Sequence, residues 1–144
     1  MTMRKISIIG TGYVGLCTGI GFASKGFEVT MSTQSQTKAD DINKAVPPFH
    51  EPDLESLLKV VVKEGNLSCV VNREKPVLNT DVTFVAVGTP SQLDGSIELT
   101  YIKEASNEIG KAIAKKSGYH LVVVKSTVVP GTTENVVKDR KSVV

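Results

Sequence analysis

Three glycines in the segment Gly10-Thr11-Gly12-Tyr13-Val14-Gly15 follow directly on the β-branched run Lys5 to Ile9, and apolar residues at helical spacing continue from Tyr13 to Lys25. A strand, a glycine turn and a helix in that order make an anion site. Gly10 permits the tight turn, Gly12 lets a pyrophosphate approach bare backbone, and Gly15 lets the helix pack close to the strand. The freed amides and the positive end of the helix then hold the phosphates. Such glycines can also turn a strand into a helix without binding anything. Here, however, a second strand follows over Phe27 to Met31, closing a βαβ unit within about 30 residues as a dinucleotide site requires.

A dinucleotide site of this kind normally carries an Asp or Glu about 20 residues past the loop, at the tip of the second strand, where it accepts hydrogen bonds from the adenosine ribose. The tract Thr30 to Thr37 holds no acid, and Asp40 and Asp41 lie too far along the next helix. Two readings stay open. One is a site tolerant of a 2′-phosphate, with Lys38 as counter-charge; the other is an NAD site that works through hydroxyl and amide contacts. NADP sites often carry an arginine here, and this stretch has none.

Other reactive side chains are few. Cys17 and Cys69 match no metal-ligand spacing and read as buried free thiols, Cys17 among Leu16 and Ile20 on the first helix and Cys69 within an apolar strand. Neither has the exposure and cationic neighbour that make a thiol nucleophilic. His50 and His120 read as surface or strand-end residues, and no metal site is expected.

The elements that must position the loop alternate regularly. A polar stretch from Thr33 leads into a short helix ending near Lys44. Val46 to Pro52, with three prolines, is a loop. Asp53 to Lys63 is helical through Leu54, Leu57, Leu58 and Val61. Leu67 to Val71 and Asp81 to Val87 are strands with a short helix around Pro76 between them, and Gly88 to Ser96 is a loop with an Asp94-Gly95 turn. Leu99 to Lys115 is a longer amphipathic helix, Leu121 to Val124 a fifth strand, and a last helix starts after Pro130 and runs to the terminus. Apolar strands separated by helices predict an α/β fold, a doubly wound parallel sheet of the Rossmann type in the order 3-2-1-4-5, ending after the fifth strand and the following helix.

A chain of 144 residues makes one domain, residues 1–144, with about two-thirds of its surface buried. Its 17 basic and 15 acidic residues leave a net charge of only +2, which calls for neither nucleic acid nor an anionic membrane. The longest apolar runs are far shorter than a bilayer-spanning helix, and no secretion signal opens the chain. A cytoplasmic protein is expected.

Four segments together resemble the N-terminal domain of the UDP-glucose and GDP-mannose dehydrogenase family, with its UDP-glucose-oxidising members the nearest. These are the glycine loop continuing Tyr13-Val14-Gly15-Leu16, the proline-bounded Pro48 to Leu54, Val85 to Pro90 followed by Asp94-Gly95-Ser96, and Lys125 to Thr133. The last segment is the most distinctive. It separates this family from hydroxyacyl-CoA and phosphogluconate dehydrogenases, which also open with such a glycine loop.

The resemblance implies NAD as cofactor, with NADP the alternative. It implies binding by Gly10, Gly12, Tyr13, Val14 and Gly15, by Val87, Gly88 and Thr89 after the fourth strand, and by Ser126 and Thr127 after the fifth. Lys38 matches a family lysine near the adenosine ribose, and Thr33 falls where the family has its ribose-binding aspartate. Thr127 would also hold the water of the family's hydrolytic step. That family oxidises a primary alcohol at C6 of a nucleotide sugar twice, using two NAD, through a thioester on a cysteine.

The cysteine and its helpers belong to a later part of the family's chain, so this chain is expected to bind the dinucleotide and to be inactive alone. A nucleotide sugar would be a partner only if another chain supplied the missing domain. A stand-alone dinucleotide-binding module, or a shortened gene product without catalysis, is the alternative. The edge of the fifth strand is expected to be open to pairing, which makes self-association an expectation too.

Overall fold

The β-branched run at the start forms strand β1 (Lys5–Ile9), and the glycine turn after it opens directly into helix α1 (Tyr13–Ser24) of a computed structural model that describes residues 5–138. Strand β2 (Glu28–Ser32) and helices α2 (Gln36–Asn43) and α3 (Leu54–Lys63) come next, then β3 (Leu67–Val70), α4 (Glu74–Leu78) and β4 (Val82–Val85). Helix α5 (Thr100–Ala114), β5 (Leu121–Val124) and a π-helix over Thr133–Lys138 complete the described chain. The five strands pair in the order β3-β2-β1-β4-β5, every pair parallel, in the predicted Rossmann arrangement.

Alternation along the strands divides the core into two. Ile6, Ile8, Val29 and Met31 face α1, α2 and α3 on one side of the sheet. Ile9 and Val85 face α4, α5 and the π-helix on the other, where Ile102, Ala105 and Ile109 are buried. With both faces covered, the strands can be apolar almost throughout.

Several details differ from the sequence expectation. β2 is shifted one residue along, and β4 runs only from Val82 to Val85, its pairing with β1 ending at the hydrogen bond from the Ala86 amide to the Ile9 carbonyl at 2.8 Å. Leu57 is exposed although it fits the apolar spacing of α3. The segment after Pro130 forms the wider π turn rather than an α-helix, and its expected continuation to the terminus lies outside the described residues. Cys69 is buried as expected, but Cys17 is exposed. Helix α1 buries Gly15, Leu16, Gly19, Ile20 and Ala23, a stripe that turns Cys17 outward despite its apolar neighbours.

The outer edge of β3 is closed by a side chain. The Asn43 amide donates to the carbonyl of Cys69 at 2.8 Å and its oxygen accepts from the Cys69 amide at 2.8 Å, standing in for a neighbouring strand.

The sheet interior carries one polar chain. Ser7 Oγ and Thr83 Oγ1 lie 2.6 Å apart across β1 and β4, and Thr83 Oγ1 lies 2.8 Å from Nε2 of buried His120. The other ring nitrogen of His120 is 3.1 Å from Lys116 Nζ. A lysine ammonium can only donate, so Nδ1 accepts and Nε2–H donates to Thr83. His120 is thus a strand-end residue as expected, but one built into the core. Thr83→Val, nearly isosteric, removes the hydroxyl that links Ser7 to His120 and should cost about 1–3 kcal/mol, moving the urea midpoint down by about 1 M. An unchanged midpoint would show that the chain of hydroxyls contributes nothing.

Candidate functional site

At the carboxyl ends of the strands lies a cleft of about 620 Å³, within the usual range for small-molecule sites. The glycine loop forms its floor. Gly10 has φ +116°, and a Cβ there would sit 2.3 Å from the carbonyl oxygen of Ala86, so only glycine fits. A Cβ on Gly15 would lie 2.2 Å from the carbonyl oxygen of Gly10, whereas one on Gly12 meets no atom within 4 Å. Gly15 therefore seats the helix on the turn, and Gly12 leaves open space above it.

Gly12 stands at the head of α1 without a side-chain cap, and the first turn carries no acid. The first amide of α1 to find an intrahelical partner is that of Leu16, which donates to the Gly12 carbonyl at 2.9 Å. The amides before it are open to an anion, with the helix dipole behind them. Tyr13 lies at the outer lip, stacked on Phe49 of the proline loop with ring centroids 3.9 Å apart.

Three further loops wall the cleft. The amide of Gly10 donates to the carbonyl of Ser32 at 2.9 Å, which locks the glycine loop beside the tip of β2. There Thr33, Gln34, Ser35 and Lys38 line the cleft. After β4, Val87, Gly88 and Thr89 line it, and after β5, Ser126 and Thr127. These last two loops are tied together: the Thr89 hydroxyl donates to the carbonyl of Thr127 at 2.8 Å, and the Ser126 hydroxyl to that of Val87 at 2.7 Å. The side chain of Thr127 itself is exposed and forms no hydrogen bond among the described residues.

Every residue picked out from the sequence lines this cleft except Gly15, which lies beneath it. Sequence reasoning missed Ser32, Arg73 and Tyr101, which line it too. Arg73 follows β3, so only the parallel pairing of β2 with β3 brings it to the site. A survey of the residue types just past the carboxyl end of each strand could have found it, since ligands of open α/β sheets bind there. The lining holds two cations, Lys38 and Arg73, and no acidic side chain. Its charge suits an anion.

Thiol chemistry has no place in this cleft. Cys17 is outside it, and partial burial together with the nearby Glu51 carboxylate pushes its thiol up from the ordinary value. Burial of Cys69 in β3 pushes its thiol to about 11. His50 is exposed in the proline loop, also outside the cleft, and among the described residues no group of His, Cys, Asp and Glu could hold a metal ion. No described helix is long and apolar enough to cross a membrane.

Comparison with known proteins gives this geometry a setting. The sequence profile of the UDP-glucose/GDP-mannose dehydrogenase family, NAD binding domain, matches residues 4–143. GDP-mannose 6-dehydrogenase of Pseudomonas aeruginosa is 48% identical over 134 residues, which are 92% of this chain and 30% of that protein. UDP-glucose 6-dehydrogenase YwqF of Bacillus subtilis is 38% identical over 130 residues, 90% of this chain and 29% of that protein. Among solved structures, a UDP-glucose dehydrogenase from Pyrobaculum islandicum superimposes with a TM-score of 0.93 at 40% identity, over 97% of this chain and 32% of that one. The chain thus spans about 30% of the length of the relatives it matches.

Proposed function

Since the chain belongs to the UDP-glucose/GDP-mannose dehydrogenase family and carries its NAD-binding domain, we propose that it is the dinucleotide-holding part of a nucleotide-sugar 6-dehydrogenase and oxidises no sugar by itself. The observation that carries this reading is the open space at Gly12 beneath an uncapped helix start. It fits a pyrophosphate that needs bare backbone, and a side chain there would fill it. NAD, when bound, supplies the hydride acceptor for oxidation of an alcohol.

The residues of this chain do the rest by position. The amides after Gly12 hold the two phosphates, and the hydroxyl and amide groups of Thr33, Gln34 and Ser35 receive the adenosine ribose beside Lys38. Val87 to Thr89 and Ser126 to Thr127 line the cleft from the loops after β4 and β5. The Thr89 hydroxyl fixes the backbone at Thr127, which leaves the Thr127 hydroxyl free to hold a water molecule for hydrolysis of an acyl intermediate. Neither cysteine reaches the cleft, so the nucleophile and the nucleotide sugar are the business of the rest of such a dehydrogenase. The outer edge of β5, whose Val122, Val123 and Val124 are only partly buried, is the surface for that remainder or for a second copy of the chain.

Calorimetric titration of the 144-residue chain with NAD should give binding, while a mixture with NAD and either UDP-glucose or GDP-mannose should form no NADH. Steady NADH formation by the pure chain would overturn the division of labour. Absence of NAD binding would overturn the role as dinucleotide holder.

A further inference from the structure

We propose that the adenosine end of this cleft is built to receive a 2′-phosphate, so that the domain takes NADP as well as NAD; the inference rests on the dinucleotide reading above and narrows it. Four observations meet at the tip of β2. Thr33, half-buried there, is neutral, so nothing at the tip repels a phosphate or demands a free pair of ribose hydroxyls. Ser32, beside it, is 1% exposed and lines the cleft, yet its hydroxyl has no hydrogen-bond partner. Buried hydroxyls are nearly always paired. Its oxygen is covered, and the residue borders the cleft, so an unspent hydroxyl lies beside the β2 tip.

The third observation is the arginine that the tract itself lacks. Ser32 stands in register with Val70 of β3, and the Thr33 amide donates to the Val70 carbonyl at 3.1 Å. Three residues past Val70 comes Arg73, which lines the cleft and is 8% exposed. Its Nη1 donates to Glu108 Oε1 at 3.0 Å, from α5. That is its one hydrogen bond among the described residues, leaving Nε and Nη2 for another acceptor, and Glu108 does not line the cleft. A guanidinium with two nitrogens open is suited to a phosphate, which it can grip with paired hydrogen bonds.

The fourth is the start of α2. Ser35 caps that helix by accepting from the Lys38 amide, and the Lys38 ammonium makes no ion pair among the described residues. Lys38 and Arg73 thus bring positive charge to the β2 tip from two different elements, one after β2 and one after β3. No acid lines the cleft, so a dianionic 2′-phosphate meets two cations there, Lys38 without an ion pair among the described residues and Arg73 already paired on its far side with Glu108.

Two pairs of ligands isolate the effect: NADP against NAD, and 2′,5′-ADP against 5′-AMP, each pair differing only in the 2′-phosphate. Titrated into the 144-residue chain, NADP should bind within about tenfold of NAD or more tightly, and 2′,5′-ADP about tenfold more tightly than 5′-AMP. Arg73→Met should lower the affinity ratio of NADP to NAD by at least about tenfold. Thr33→Asp should lower it by about ten- to a hundredfold, because a carboxylate accepts from ribose hydroxyls and repels the phosphate. Should Arg73→Met fail to fold, Lys38→Met and Thr33→Asp, both away from the core, carry the same test. Wild-type binding of NADP more than about tenfold weaker than NAD overturns this inference while sparing the dinucleotide role. Binding of neither dinucleotide overturns both.

Discussion

A Gly12→Val chain will bind NAD at least about a hundredfold more weakly than the wild type and will unfold at nearly the same temperature. Gly12 has φ −76° and ψ −168°, an extended conformation in which valine is at home. A Cβ there meets no protein atom within 4 Å beyond its chain neighbours. The fold therefore has no reason to object beyond a poorer helix start, which costs about 1 kcal/mol or less. The open space is the cleft itself, where a pyrophosphate must lie against the backbone to reach the amides of α1. Two methyl groups in that space remove the approach. Calorimetry with NAD and thermal unfolding of the same preparation separate the two effects, and an affinity within threefold of wild type would sink the assignment of this loop.

The second large effect has the opposite character. Gly15→Ala should destabilise the chain by about 3 kcal/mol, lowering the melting temperature by about 10 °C. Its Cβ would fall 2.2 Å from the oxygen and 2.9 Å from the carbon of the Gly10 carbonyl. Both are backbone atoms of the turn, so no rotamer relieves the contact and α1 must lift from β1. Gly21, on the same helix with nothing within 4 Å, is the control. Gly21→Ala should stabilise by about 0.5–1 kcal/mol, since alanine loses less freedom in a helix. If both alanines moved the melting temperature alike, close packing at Gly15 would not be what the third glycine of the motif is for.

These two glycines explain why the phosphate end of the site could be read from the sequence. Their roles depend on residues two to six positions away, within one strand, one turn and one helix. The strand order was legible for a related reason: apolar strand runs are separated by helical stripes from Lys5 to Val124, the one doubled crossover being the two helices on either side of the Val46 to Pro52 loop. Boundaries were less so. Helix α2 ends before Ala45, at φ 61°, where a glycine would have announced the stop. Cys17 misled because its neighbours are apolar, whereas burial on a helix follows the stripe through Leu16, Gly19 and Ile20.

The adenosine end was only half legible. The absent acid at Thr33 is visible in the sequence, but Arg73 lies 40 residues further on and becomes a neighbour only through the β2–β3 register. Ser32 was hidden for the same reason, as an unpaired hydroxyl is a property of surroundings and not of residue type.

The aromatic lip of the cleft has a practical consequence for the bench. The chain holds no tryptophan and three tyrosines. Two of them, Tyr13 and Tyr101, line the cleft, while Tyr119 stands 82% exposed just before β5. Two of the three rings that emit in the ultraviolet therefore stand where an arriving adenine or nicotinamide would quench them, with no indole to mask the change. The native chain carries its own optical gauge of occupancy, and cofactor titrations can be followed without label, dye or engineered residue.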